Sequence, residues 1–293
     1  MATDAALAVF EHARPRLFGI AYRMMGTVAE AEDLVQEAWL RWQRADRESV
    51  REPAAFLATT VTRLALNELD SARARREQYV GPWLPEPVDT SADPALGAER
   101  AEALSFAVLL LLERLSPAER AAYVLHEAFD YPYRRIAEVL ETSEANARQL
   151  ASRARAHLAR ERAASVTPAE RERLLGAFLA AAQSGDLEGL EAVLAEDIVA
   201  FSDGGGVVHA ARRPVVGREK VAAFLLGVAE KFLDGVSFVP ASYNGDLAFV
   251  GVREGAPMSV FALDFGPEGI RGFYNVMNPA KLSRIEVLSG QSG

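Results

Sequence analysis

Residues 131–155 contain two short helical patterns separated by a tight polar turn, in the order YPYRRIAEVLETSEANARQLASRAR. In the first pattern, Ile136 and Val139 recur at the spacing of one helix face. Thr142 and Ser143 are both suitable N-cap residues for the second helix, because their side chains can accept a hydrogen bond from its first N–H groups. Helix, short turn and polar second helix together predict a helix-turn-helix.

The second pattern separates small apolar residues from basic ones. We expect Ala147, Leu150, Ala151 and Ala154 to pack inward. Arginine and glutamine suit a helix in the DNA major groove because they can bond to two base-edge atoms at once. An ordinary helical hairpin with a solvated face remains an alternative, and Glu141 occupies a turn position that is often glycine. The residues predicted on or beside the outward face are Arg148, Gln149, Ser152, Arg153 and Arg155.

Composition narrows the function classes. The 293 residues include no cysteine, which excludes disulfides, cysteine–zinc sites and thiol redox chemistry. The net charge of −9 argues against a protein that coats nucleic acid without sequence preference. The N-terminus has no signal-peptide pattern and no apolar run reaches about 18 residues, so we expect a soluble, cytoplasmic protein.

The chain divides into a helical front and an α+β tail. Residues 5–80 carry three helical patterns, and residues 81–97 hold four prolines and two glycines, which is typical of a linker. Residues 98–163 are helical again and end in the helix-turn-helix. After Thr167, two helical patterns are followed by alternating apolar runs that read as a strand meander from about residue 235, so 168–290 is predicted to be an α+β domain.

Two further helices in the front have unusual surfaces. The helix at 59–76 combines an apolar face with a basic, hydrogen-bonding one, although most charged helix faces are merely solvated. The acidic helix at 30–42 has more large apolar residues than one buried stripe needs. Either Trp39 or Trp42 is therefore predicted to be an exposed anchor for a protein partner, unless both lie in the core.

These patterns together resemble a known family. The segments EAEDLVQEAWLRW (30–42), PAAFLATTVTRLALNELDSARARRE (53–77) and LSPAERAAYVLHEAFDYPYRRIAEVL (115–140), with the helix-turn-helix, are similar to the two DNA-binding domains of extracytoplasmic-function sigma factors of the sigma-70 family, over residues 9–162. YVGPWLPEPV (79–88), DGGG (203–206) and NPAKL (278–282) resemble motifs of the sigma J-type subgroup, in which Ala280 is more usually acidic.

The resemblance implies a multidomain fold. We expect an all-α sigma-2 domain at 5–80, a linker at 81–97, an all-α sigma-4 domain at 98–163, and a C-terminal SnoaL-like domain with the nuclear transport factor 2-like cone at 168–290. The implied function is promoter-specific initiation of transcription, modulated by the fused domain. The implied partners are core RNA polymerase, promoter DNA and the chain's own C-terminal domain, with no catalytic residue, cofactor or metal.

The resemblance also assigns roles to residues. The segment that docks on core polymerase is matched by Asp33, Leu34, Gln36, Glu37, Trp39 and Arg41. The segment that opens and reads the −10 element is matched by Arg63, Asn67, Asp70, Ser71, Arg73, Arg75 and Arg76. The −35 recognition helix is matched by Asn146, Arg148, Gln149, Ser152, Arg153 and, beside them, Arg155. Regulatory contacts between domains are implied for Trp83, Leu84, Pro85, Glu86, Pro87, Asp203, Gly204, Gly205, Gly206, Asn278, Pro279, Lys281 and Leu282.

A second hypothesis is a DNA-binding regulator whose cone domain senses or converts a small molecule. Enzymes on this fold use a buried acid–base pair inside the cone. The candidates are Asp203, His209, Asp246 and Asp264, with Tyr243 and Tyr274 as polar walls. The segment EDLVQEAWLRW distinguishes the hypotheses, because a stand-alone DNA-binding sensor needs no polymerase-docking helix.

Overall fold

The computed structural model describes residues 2–90, 104–161 and 166–286. These residues form two compact units, of which the first contains residues 2–78, 90 and 104–161 and the second contains 79–89 and 166–286. Both predicted sigma domains therefore lie in one unit, and the first part of the predicted linker belongs to the C-terminal unit. Residues 91–97 of that linker, and 98–103 of the predicted sigma-4 domain, lie outside the described residues.

Three long helices begin the first unit. Gly26, at φ 76°, ends the first helix, and its N–H donates to the Tyr22 carbonyl at 2.7 Å. The Thr27 hydroxyl then accepts from the Glu30 N–H at 3.4 Å and starts the second. Pro53 occupies the first turn of the third helix, where its missing N–H leaves no bond unmade. The helices are α1 (Ala2–Met25), α2 (Val28–Arg44) and α3 (Pro53–Glu77).

The predicted helix-turn-helix is present in the second half of this unit. The first of its helices ends before Glu141, which has the left-handed φ of 52°, and the Thr142 N–H donates to the Ala137 carbonyl at 3.0 Å across the turn. Ser143 caps the next helix by accepting from the Asn146 N–H at 3.2 Å. The elements are α4 (Phe106–Leu112), α5 (Pro117–Tyr123), a π-helical turn (Val124–Ala128), α6 (Tyr133–Val139) and α7 (Glu144–Glu161).

The second unit is an α+β cone. Its single sheet has the strand order β2-β1-β6-β5-β4-β3, with β1 parallel to β6 and the other pairs antiparallel. Asn244-Gly245 and Glu254-Gly255 form hairpin turns with positive φ at both residues, as tight hairpins require. The elements are α8 (Pro168–Ser184), α9 (Leu187–Val193), β1 (Leu194–Asp203), β2 (Val215–Val216), α10 (Arg218–Phe232), β3 (Ser237–Tyr243), β4 (Asp246–Arg253), β5 (Ala256–Gly266), β6 (Gly269–Val276) and α11 (Pro279–Leu282).

Phenylalanine rings fill the space between the helices and the sheet. Phe249 and Phe273 flank Phe261 at ring-centroid distances of 5.0 and 5.4 Å, and Phe178 of α8 lies 6.4 Å from Phe273. Buried leucines, valines and alanines of α8, α9, α10 and β1 complete this core. Burial of each large ring contributes a few kcal/mol, so these rings contribute substantially to the unit's stability.

No structure was predicted for residues 206–234. In the run GVVHAARRPVVG (206–217), the first part is a loop and only Val215–Val216 pair with β1. Helix α10 was not predicted, since its apolar residues were not separated from the neighbouring alternating runs. The strand meander after residue 235 is confirmed by β3 to β6. Within the described residues, no helix is both long and apolar enough to span a membrane.

Candidate nucleic-acid interface and linker-binding site

Helix α7 exposes the side chains that were predicted to read DNA. Arg148, Gln149, Ser152 and Arg153 are exposed, whereas the small residues on the opposite side are buried against α5 and α6. Asn146 is half-buried and donates to the Thr142 hydroxyl at 2.9 Å, which places it at the edge of this surface. Arg155 bonds to Glu127 of the π-helical turn. The arrangement offers a polar, cationic helix face of the size that a major groove accepts.

Helix α3 presents a mixed surface. Asn67, Asp70 and Ser71 are exposed. Arg75 forms ion pairs with Glu30 at 2.5 Å and Glu68 at 3.0 Å, and the hydrogen bond that it donates to Glu30 is the main reason that its pKa is raised. Asn67, Asp70 and Ser71 are thus open to solvent, while the arginines of α3 already have acidic or carbonyl partners.

The other arginines of α3 contact the helix-turn-helix half of the same unit. Arg63 donates to the Val139 and Glu138 carbonyls at 3.1 and 2.8 Å. Arg73 donates to the carbonyls of Glu113 and Leu115, and Arg76 bonds to the Glu113 carboxylate.

Helix α2 exposes part of its predicted docking face. Asp33, Gln36 and Arg41 are exposed, and Glu37 accepts from Arg41 at 2.9 Å along the helix. Trp39 is half-buried, with its ring 4.8 Å from that of Phe10. This exposed and half-buried set, Asp33, Gln36, Glu37, Trp39 and Arg41, forms the candidate docking surface.

One predicted docking residue must be removed from that surface. Leu34 is buried in the three-helix core with an exposed fraction of 8%, so its side chain is not available to a partner. Trp42 is also buried, and its ring N–H donates to the Ala6 carbonyl at 3.1 Å. Of the two tryptophans, Trp39 therefore remains the possible anchor.

The residues that follow α3, Tyr79–Asp89, lie on the C-terminal domain, and we call them the strap. The strap is held by the carboxylate of Asp203 at the end of β1, which is completely buried. Asp203 accepts from the Tyr79 hydroxyl at 2.6 Å, the Leu84 N–H at 2.9 Å, the Gly205 N–H at 3.1 Å and the Lys281 ammonium at 2.7 Å. Four donors, one of which carries the opposite charge, compensate the loss of hydration of this carboxylate.

Lys281 supplies the opposite charge and reaches the strap itself. Its ammonium donates to the Leu84 carbonyl as well as to Asp203. The same nitrogen lies 4.5 Å from the ring centre of Trp83 and 5.1 Å from that of Tyr79. A cation between two aromatic faces is stabilised by their negative quadrupoles, so the tryptophan of the WLPEP motif is a direct partner of the lysine of NPAKL.

Asn278 links the two C-terminal motifs to the strap. Its amide N–H donates to the Tyr79 hydroxyl at 2.7 Å, while its carbonyl oxygen caps α11 by accepting from the Ala280 N–H at 3.0 Å. Burial raises the pKa of Tyr79 well above its usual value, and the neighbouring Asp203 carboxylate raises it further. The phenol therefore stays protonated and can donate to Asp203. Position 280 contributes its backbone N–H, and therefore alanine serves as well as the usual acidic residue.

The glycine loop DGGG allows this close approach. Gly205 and Gly206 have φ of 62° and 73°. A Cβ at Gly205 would lie 2.5 Å from Asn278, and one at Gly206 would lie 3.0 Å from Val80 of the strap. A side chain at either position would displace the strap or its anchor, which explains the glycines physically. Gly204 is buried beside them.

The far end of the strap pairs with the sheet. The Asn244 N–H donates to the Val88 carbonyl at 2.9 Å, and the Val88 N–H donates to the Asn244 side chain at 3.0 Å. Asp89 forms a bridge with Tyr243, the last residue of β3, and burial raises the pKa of Tyr243 to about 12. The strap is thus fixed at both ends, and its middle residues Leu84, Pro85, Glu86 and Pro87 are buried. On α11, which carries Lys281, Pro279 is exposed and Leu282 is buried.

The strap excludes one predicted acid–base candidate, and exposure excludes another. The oxygens of Asp203 are used by the strap and by Lys281, and His209 is exposed, so these two do not form a buried acid–base pair. Asp246 forms an ion pair with Arg171 at 3.6 Å, and Asp264 lies opposite Gly272 in the sheet. The ring of Tyr274 stacks on that of Phe201 at 5.7 Å, and Tyr243 pairs with Asp246 across the β3–β4 hairpin.

Four residues that matter in this geometry were absent from the predicted set. Tyr79 is the first residue of the recognised segment YVGPWLPEPV but was assigned no role, and Asn244 looks like an ordinary Asn-Gly turn residue. Glu113 and Glu141 each follow a helix, and in the sequence they look like ordinary exposed glutamates. The positive φ at Glu141 was signalled by its turn position, but its partner Arg63 is 78 positions away in sequence and no local pattern connects them.

Comparisons with known proteins agree with these two units. Residues 9–75 match the family model of sigma-70 region 2, and residues 105–158 match that of sigma-70 region 4. The chain is 41% identical over 290 residues to the ECF RNA polymerase sigma factor SigJ of Mycobacterium tuberculosis, covering 96% of this chain and 88% of that protein. The chain belongs to the extracytoplasmic-function sigma factors. Members of this family are non-enzymatic subunits that direct RNA polymerase to promoters.

Two further matches support the membership of this sigma factor in the family. It is 37% identical over 228 residues to the probable ECF RNA polymerase sigma factor SigI of M. tuberculosis, covering 76% of this chain and 77% of the relative. The crystal structure of M. tuberculosis SigJ superposes with a TM-score of 0.77 at 38% identity and covers 94% of this chain and 98% of that one. The sigma factor therefore carries a fused C-terminal α+β domain after regions 2 and 4.

The strap contacts predict the reactivity of the three lysines. Lys281 is buried, while Lys220 and Lys231 are exposed on α10. Acylation of Lys281 requires local opening, so an amine-acylating reagent should modify it about tenfold or more slowly than the other two, as followed by mass spectrometry. Trp83→Ala should raise the rate at Lys281, whereas Trp39→Ala should not. Equal labelling of all three lysines in the unaltered protein would contradict the strap geometry.

Proposed function

We propose that the fused C-terminal domain regulates this sigma factor by binding the strap, the segment that connects the two promoter-reading domains in sequence. The observation that carries the proposal is the buried Asp203–Lys281 pair, whose remaining bonds go to Tyr79 and Leu84. A buried ion pair with both partners bonded to a chain segment is weakened when that segment leaves, because the charges lose donors that water would have to replace. The strap is therefore either fully docked or released.

Chain connectivity gives the docked strap a consequence for promoter binding. With the strap docked, the sigma-2 domain is joined to the C-terminal domain without any intervening residue, and residues 90–103 remain as the linker to sigma-4. The eleven residues of the docked strap have a fixed end-to-end distance and direction, whereas in the released strap they can extend to at most about 40 Å in any direction. We infer that docking restrains the separation of the two domains and that release permits it.

The DNA-reading roles follow the exposed polar surfaces. We assign the −35 element to the exposed face of α7, with Asn146 at its edge and Arg155 beside it. The −10 element is assigned to the face of α3 that carries Asn67, Asp70, Ser71 and the arginines Arg63, Arg73, Arg75 and Arg76. Separated bases need hydrogen-bonding pockets and backbone contacts, and this mixture of amide, hydroxyl and guanidinium groups supplies both.

The docking of core polymerase is assigned to the exposed part of α2. An acidic helix face with one half-buried tryptophan suits a basic, partly apolar partner surface. In this role the protein acts wherever core RNA polymerase transcribes, which is the bacterial cytoplasm.

The regulatory proposal predicts the effect of strap release on transcription. The pair Asp203→Asn with Lys281→Met removes both buried charges together and keeps their approximate volumes, so the domain should remain folded. Run-off transcription with core polymerase should rise at least about twofold, because the strap is no longer held on the C-terminal domain and can follow the separation of the two promoter-reading domains. Lys220→Met is the matched control for loss of a lysine charge. Unchanged or reduced transcription by a folded double variant would refute restraint by the strap.

The docking assignment predicts a loss of polymerase affinity. Asp33→Ala should weaken binding to core polymerase by about 1 kcal/mol or more if the carboxylate is buried against a basic partner group. Glu11→Ala removes an equally exposed charge from α1 and should have no such effect. Binding titrations with labelled sigma factor give both values, and equal affinities of the two variants would exclude Asp33 from the interface.

The −35 assignment predicts a sequence-dependent loss. Arg148→Ala should cost about 1–3 kcal/mol of promoter binding if Arg148 bonds to a base edge, and the loss should vary with the −35 sequence. Arg160→Ala, an exposed arginine near the end of the same helix, is the control. Holoenzyme binding to a series of −35 variants measures the difference. A loss that is the same for every sequence would indicate a phosphate contact instead.

A further inference from the structure

The sigma-4 domain presents two helix C-termini to the arginines of α3. The last carbonyls of a helix have no partner within it and carry partial negative charge, so they attract cations. At the end of α6, Arg63 donates to the Glu138 and Val139 carbonyls at 2.8 and 3.1 Å, and its guanidinium pairs with Glu141 at 3.1 Å. The acidic residue at the helix-turn-helix turn thus has a partner on the −10 helix.

The end of α4 is bound in the same way. This helix stops at Leu112, and the carbonyls of Glu113 and Leu115 just beyond it accept from Arg73 at 3.1 and 3.2 Å. Both contacts join a guanidinium of α3 to backbone oxygens of sigma-4. Each guanidinium here meets two oxygens that lie close together, as it would on a phosphate.

A nearly buried carboxylate completes the contact. Glu113 lies between Arg76 of α3 and Arg120 of α5, with a separation of 2.6 Å from the latter. Arg120 also donates to the Arg23 carbonyl near the end of α1 at 3.1 Å. Arg120 has an exposed fraction of 3%, and its pKa is lowered by burial and by Arg76. Without Glu113, two guanidinium groups would face each other with little water between them.

We propose that in the free protein sigma-4 is an intramolecular ligand of the −10 helix, whose arginines Arg63, Arg73 and Arg76 are bound by helix C-termini and by Glu113 in place of promoter DNA. We call these contacts the latch. The proposal rests on the assignment of the −10 element to α3, and it adds that sigma-4 and DNA compete for the same guanidinium groups.

Promoter geometry makes the latched state incompatible with recognition of both elements at once. The −10 and −35 elements are about 25 base pairs apart, which at roughly 3.4 Å each is about 85 Å. In the latched state α3 touches α6, and α6 is followed by α7 after a four-residue turn. The two reading helices are therefore far closer than their targets, so the latch must open before the promoter is bound.

The two reading surfaces differ in where the partners of their arginines lie. On α7, Arg148 and Arg153 pair with Glu144 and Glu119, which belong to sigma-4 itself, so no contact between domains has to break there. On α3, Arg63 and Arg73 are bound by carbonyls of sigma-4, while Asn67, Asp70 and Ser71 remain exposed. The free protein is thus poised to meet the −35 element first, and the −10 contacts become available when carbonyl oxygens are exchanged for phosphates.

Because the chain has no cysteine, the latch can be tested by site-specific labelling. Glu48→Cys and Ala159→Cys place donor and acceptor dyes on exposed positions of sigma-2 and sigma-4. Glu113→Gln removes the bridging charge and should lower transfer efficiency in the free full-length protein. Glu127→Gln is the matched control, since Glu127 has a similarly shielded carboxylate that pairs with Arg155 inside sigma-4. Unchanged transfer in a folded Glu113→Gln protein would overturn the latch.

A second variant covers the case in which Glu113→Gln does not fold. Glu141 is exposed, so Glu141→Gln keeps the core intact while weakening the bond to Arg63. It should shift transfer in the same direction by a smaller amount. If both folded variants left transfer at the level of the unaltered protein, the latch would be refuted whatever their effect on DNA.

A measurement of DNA binding distinguishes the latch from the assignment of the −10 element to α3. Binding of a single-stranded −10 oligonucleotide by the free protein should become roughly threefold or more tighter in Glu113→Gln, because apparent affinity rises with the open fraction. Lower transfer together with tighter binding supports both ideas. Lower transfer with unchanged oligonucleotide binding would show that the domains are latched but that α3 does not bind this DNA. Tighter binding without any change in transfer would overturn the latch.

Discussion

A buried carboxylate that cannot be left without partners determines how this protein is organised. Asp203 is completely shielded from water, and its oxygens are satisfied only when Tyr79, Leu84 and Lys281 are all in place. Because an uncompensated buried charge costs several kcal/mol, the strap cannot leave by small steps. The domain that follows sigma-4 in sequence thereby holds the segment that precedes sigma-4, and in the proposed function regulation consists of the release of that segment.

In the helical unit, arginines of α3 connect the two sigma domains, and most of their acceptors are backbone carbonyl oxygens. Backbone oxygens at the ends of α4 and α6 are weaker partners for a guanidinium than a phosphate is, because they carry only partial charge. In the proposed latch, a contact built from them holds the two sigma domains together in the free protein and is still replaced by DNA. Glu113 adds full charge at the one place where Arg76 and Arg120 would otherwise repel each other.

The fold could be predicted from the sequence more fully than the side-chain contacts could. Helix starts at Thr27, Pro53 and Ser143 were readable because caps are local, and WLPEP, DGGG and NPAKL were recognised as motifs. Their meeting at one carboxylate was not readable, because it depends on the parallel pairing of β1 with β6, which brings the ends of both strands together. Leu34 was misassigned for a related reason: a helix pattern does not say how wide its buried face will be.

The strap and the latch meet along the chain at the end of α3. Arg76 contacts Glu113 one residue before the helix ends, and Tyr79, which donates to Asp203, follows three residues later. Two separate electrostatic contacts therefore bind one short segment of chain, Arg76 to sigma-4 and Tyr79 to the C-terminal domain. In the proposed scheme, both the latch and the strap must release this segment before the two reading helices can separate.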